Sequence, residues 1–112
     1  MSRLTDLALK DAEECLSQSS LNLYQIKNAI ESTMRNLQEE RRELDGMVNT
    51  INSKSDEEQT ANRKLLDKLN YALEINQKMY TENRKALDQV QTTTNLISRA
   101  DSWIGAIGED KK

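Results

Sequence analysis

LKDAEEC LSQSSLN LYQIKNA IESTMRN LQEERRE LDGMVNT I, residues 9–51, opens every block of seven with a leucine or an isoleucine. The row is Leu9, Leu16, Leu23, Ile30, Leu37, Leu44 and Ile51. Leu and Ile together supply 21 of the 112 residues, so seven hits in one register would arise by accident about once in 10⁵. A straight α-helix drifts by about 20° per heptad, which carries such a row about 120° around the cylinder. The row stays on one face only if the helix winds around another helix. This stretch therefore specifies a coiled coil, and a protein that works by holding partners.

With the row at heptad position a, position d is filled by Ala12, Ser19, Ile26, Thr33, Glu40 and Met47. One side of the seam is thus strong and the other small or polar. An isolated leucine zipper needs both, so the imbalance points to a broader bundle. Leu4, Leu7, Leu21 and Tyr24 lie off the row and make the N-terminal third apolar on more than one side. Glu40 is expected at the seam's edge, and Cys15, next to the seam, as a small buried residue.

The first helix is expected over 3–52, with Ser2 or Thr5 as its cap and Asp6 near its N-terminus. Gly46 either ends that helix or is a tolerated defect within it. The clearer break comes at 53–55, where Ser55 opens Ser-Asp-Glu-Glu, a capping box with Glu58 three residues on. A second helix follows over 56–104, and 105–112 reads as a short tail. Leu66, Leu73, Tyr80 and Leu87 form one row of this helix. Leu69, Asn76, Asn83, Val90, Ile97 and Ile104 form the other, and Leu65, Ala72, Met79 and Ala86 widen the face.

Two polar residues fall in the second row. A buried Asn76 or Asn83 would set register at a cost in stability; in an open bundle both would simply be wet. Trp103, the only tryptophan, either folds back near Leu4 and Leu7 or anchors a partner. The expected fold is all-α: a long antiparallel coiled-coil hairpin in one domain, completed into a multi-helix bundle by oligomerisation or partner helices. A single rod pairing in parallel is the alternative. The expected seam and interface comprise the seven residues of the row with Ile26, Leu66, Leu69, Leu73, Asn76, Tyr80, Asn83, Leu87, Val90, Ile97 and Trp103.

Composition narrows the chemistry. There is no histidine and one cysteine, so nucleophile–base pairs, Glu-x-x-His metal bundles and disulfides lose their parts. The three glycines form no phosphate loop. No enzymatic activity and no cofactor is expected. Acids and bases are interleaved around a net charge of −3, which argues against nucleic acid as a partner. No apolar run spans a bilayer, the start does not read as a secretory signal, and one cysteine fits a reducing compartment. Protein helices are the expected partners, in the cytoplasm, without membrane contact.

In general shape such a hairpin resembles the small coiled-coil subunits of vesicle-trafficking and tethering complexes. The resemblance covers architecture only and implies an adaptor or scaffold role. The other readings are a small helical chaperone or assembly factor for a secreted or viral structural protein, and a self-assembling homo-oligomer.

Overall fold

A computed structural model describes residues 3–110, with side chains described as far as residue 108. Three helices follow one another: α1 (Arg3–Asn52), α2 (Asp56–Ala61) and α3 (Arg63–Asp110). Among the described residues there is no strand. The fold is an all-α helical hairpin, α1 forming one arm and α2 with α3 the other.

The reversal is built by backbone amides and polar side chains that satisfy the helix ends. The Ser53 and Lys54 amides donate to the carbonyls of Asn49 (3.0 Å) and Ile51 (3.1 Å), tightening the last turn of α1. Ser55 then takes an extended conformation (φ −61°, ψ 157°), and its hydroxyl accepts the Glu58 amide at 3.4 Å. Asp56, Glu57 and Glu58 occupy the first turn of α2, where the exposed amides favour negative charge. Gln59 ties the two arms: its Nε2 donates to the carbonyls of Asn52 (2.9 Å) and Lys54 (2.8 Å).

Two boundaries differ from the sequence reading. The second arm is interrupted at Asn62, whose Nδ2 bonds the Glu58 carbonyl at 2.8 Å. The i to i+4 ladder still passes through the interruption, from the Asn62 amide to Glu58 and from the Leu66 amide to Asn62. At the other end, the expected tail is helical as far as Asp110, since α3 runs through Gly105 and Gly108; residues 111–112 lie outside the described residues. No described glycine has positive φ. A glycine that keeps helical dihedrals costs only about 1 kcal/mol against alanine and does not end a helix by itself. The same holds for Gly46 inside α1.

The chain divides into two compact units. The turn unit spans Ile30–Lys85, and the outer unit joins the segment up to Ala29 with the segment from Ala86. In the turn unit Leu37, Ile51, Leu69 and Asn76 are buried, with Ile30, Met34, Leu44, Val48, Leu66, Leu73 and Tyr80 half-buried around them. In the outer unit Leu9, Ala12, Leu16 and Leu23 of α1 are half-buried, as are Leu87, Val90, Ile97 and Ile104 of α3. In both, α1 lies beside α3, so the parallel rod is excluded.

The seven-residue row is inward throughout, but its companions change side. Ala12, three residues after Leu9, is half-buried, whereas Ser19, Ile26, Thr33, Glu40 and Met47 at the same offset are exposed. Met34 and Val48, four residues after Ile30 and Leu44, take over. The heptad drift explains the change: the row slants across the buried face, and the face recruits neighbours from the side the row is leaving.

Candidate protein interface

Among the described residues, one polar side chain is buried in the seam. Asn76 retains 2% of its accessible surface, and its Nδ2 donates to the Leu37 carbonyl of the opposite arm at 2.9 Å. That carbonyl is fixed by α1, so the bond sets α3 against α1 at one level, whereas apolar contacts alone tolerate sliding. Asn83 behaves differently. It is half-buried, and its Nδ2 bonds the Met79 carbonyl within its own helix at 2.8 Å.

On one flank of the turn unit, Asn76 continues into a polar layer. A cleft of about 310 Å³ is lined by Leu37, Gln38, Arg41, Asn76, Gln77 and Tyr80. Gln38 Nε2 donates to the Tyr80 hydroxyl at 3.3 Å, and Arg41 Nη1 donates to Gln77 Oε1. The two arms are bonded to each other across this flank.

The opposite flank is apolar, and no bond between the arms is described at the residues that line its groove. A groove of about 590 Å³ is lined by Glu43, Gly46, Met47, Thr50, Ile51, Leu65 and Leu69. Ala72 and Met79 follow Leu65 at seven-residue steps and extend the same face of α3. They precede Leu73 and Tyr80 by one residue, while Gln77 follows Asn76 by one. At about 100° per residue these positions fall on opposite sides of the buried row. Met47 is 52% exposed, Leu65 50% and Met79 47%.

The outer unit repeats the distinction. Its polar side is a cleft of about 230 Å³ lined by Leu16, Ser17, Ser20, Ile97, Ser98 and Asp101. Leu96 and Trp103 precede the inward Ile97 and Ile104 by one residue and so face the other way, with Ile107 beside them. All three are exposed, Trp103 to 72%.

No family model, no curated protein and no solved structure matches this chain.

The structure gathers most of the expected seam into the two arms' inner faces. Leu37, Ile51, Leu69 and Asn76 are buried, and Leu9, Leu16, Leu23, Ile30, Leu44, Leu66, Leu73, Tyr80, Asn83, Leu87, Val90 and Ile97 are half-buried. Ile26 and Trp103 lie outside the intrachain seam. Trp103 does not cover the hairpin's end against Leu4 and Leu7, since all three are exposed. The unbroken helix carries Trp103 about 100° off the inward row. Cys15, one residue before Leu16, is exposed for the same reason. Met34, Val48 and the polar layer of Gln38, Arg41 and Gln77 were not expected. The recurrence of Met34, Arg41 and Val48 at seven-residue spacing was the available signal.

The charged groups serve the surface. Arg41–Asp45 (4.0 Å), Lys78–Glu74 (3.3 Å) and Lys85–Glu82 (3.2 Å) pair along single helices, with every side chain at least half exposed. Such pairs contribute a few tenths of a kcal/mol. Among the described residues no group of His, Cys, Asp or Glu could hold a metal ion, and no helix is long and apolar enough to cross a membrane.

Proposed function

We propose that this chain is a non-enzymatic coiled-coil adaptor or scaffold subunit that docks protein helices along the apolar flank of its hairpin. The observation that carries the reading is the contrast between flanks. Gln38, Arg41, Gln77 and Tyr80 bond the arms together on one side, while Met47, Leu65 and Met79 stand half exposed on the other. Half-exposed methionines and leucines at helical spacing suit a helix laid into the groove, because Met and Leu adapt to its ridges.

A subunit of this kind suits a multi-protein assembly in the cytoplasm, of the vesicle-tethering type, where an exposed Cys15 stays reduced.

The test replaces Leu65 and Met79 with glutamate together and follows association by sedimentation velocity and helicity by circular dichroism. Loss of association with helicity kept is expected. Association as strong as in the unaltered chain would remove the flank as the docking surface.

A further inference from the structure

The apolar groove of the turn unit is edged by opposite charges. Along α1, Glu40 and Glu43 are exposed beside Met47, and Glu43 lines the groove itself. Along α3, Lys64 and Lys68 are exposed beside Leu65, one residue before it and three after. None of these four belongs to an ion pair among the described residues. One edge is acidic, the other basic, and the floor between them is apolar.

Such a surface is complementary to itself. We infer that the groove is covered by a second copy of this chain, turned about a two-fold axis parallel to the helices, so that α1 of each copy lies on α3 of the other. The inference rests on the docking role of the flank and names the occupant. A two-fold of this orientation keeps every residue at its own level along the hairpin. Glu43 shares its groove with Leu65 and Leu69, so Lys68 of the second copy arrives at about the level of Glu43. Every helix in the resulting four-helix bundle is then antiparallel to its neighbours, the arrangement that short connections favour. Met47, Leu65, Ala72 and Met79 of both copies close on one another in the middle.

The competing two-fold runs across the helices and lays α1 on α1. When the apolar rows overlap, it sets Glu40 and Glu43 against the same residues of the second copy, and Lys64 and Lys68 likewise. Like charges facing each other across an interface reject a partner, whereas complementary edges fix orientation. The edges therefore choose between two arrangements that the apolar floor alone would allow.

The experiment uses the full chain in sedimentation velocity from about 1 to about 100 μM, the range in which a micromolar dimer dissociates. The unaltered chain is expected to dimerise. Glu40→Lys with Glu43→Lys makes both edges basic, and Lys64→Glu with Lys68→Glu makes both acidic. Each double variant is expected to lose at least about tenfold in dimer affinity, and an equimolar mixture of the two to recover a heterodimer. Circular dichroism on every sample separates lost association from lost folding.

A helical monomer throughout would overturn the second copy as occupant while leaving the flank open to another helix. A dimer that ignores Leu65→Glu with Met79→Glu would instead overturn the flank itself. A dimer that depends on Leu65 and Met79 but keeps its affinity in both double charge variants would overturn the α1-on-α3 arrangement, because only there do those substitutions bring like charges face to face.

Discussion

The two flanks of the turn unit are made by the same two helices and face opposite ways. On the polar flank, Asn76 is held by the Leu37 carbonyl, and Gln38–Tyr80 and Arg41–Gln77 bonds span the arms. On the apolar flank, Met47, Leu65 and Met79 leave about half their surface in water, and Glu43 and Lys68 stand unpaired among the described residues. Polar groups satisfied within the chain gain little from a partner, since docking would only exchange one set of hydrogen bonds for another. Apolar area left in water gains about 25 cal/mol per Å² when covered. The hairpin is thus bonded across one side and open on the other, and in the function we propose the open side is where association lowers the free energy.

The largest effect is expected where both flanks share a foundation. Leu37→Asp puts an unpaired charge among buried side chains and removes an apolar contact of the seam. A loss of about 4 kcal/mol or more exceeds what a narrow two-helix seam supplies. Circular dichroism should show most helicity gone and sedimentation no association; an unchanged helical oligomer would show that Leu37 is not in the seam.

Asn76→Asp strikes only the polar flank. It replaces an amide donor with a carboxylate facing the Leu37 carbonyl, expected to cost about 3 kcal/mol in urea unfolding. If the flanks are independent, association at low temperature, where the chain remains folded, keeps its dependence on Leu65. A loss of that dependence would mean that the polar layer sets the shape of the apolar groove.

The smallest effect sharpens the apolar side. A Cβ at Gly46 would meet nothing within 4 Å, so Gly46→Ala is expected to raise stability by about 0.5–1 kcal/mol through helix propensity alone. Thermal unfolding of the dilute chain checks it. A lower melting temperature would show that the glycine is needed for a close approach within the chain.

The hairpin was legible because its signals are repetitive and local. Seven leucines and isoleucines in one row identify the inner face of α1 from Leu9 to Ile51. Ser55 and Glu58 mark the start of the second arm through a single backbone–side-chain bond. What lies beside the row was harder to read, because a fixed heptad slants across a helix that turns every 3.6 residues. Ile26 and Met47 therefore sit outside the intrachain seam, while Met34 and Val48 enter it. A position one residue off the inward row is rotated by about 100°, which decides the exposure of Cys15 and Trp103. Asn76 was ambiguous for another reason. Its burial depends on the Leu37 carbonyl 39 positions away in the chain, and only the register of the two arms brings that acceptor within reach.

The contrast between the flanks is tested most directly by methionine oxidation followed residue by residue with mass spectrometry. Met34 is half-buried against the seam, whereas Met47 and Met79 lie on the apolar flank. In dilute solution Met47 and Met79 are predicted to oxidise faster than Met34. As the concentration rises and the chain associates, both should become protected together while the rate at Met34 changes little. Association that leaves Met47 and Met79 as reactive as before would contradict the account, because the covered surface would then lie elsewhere.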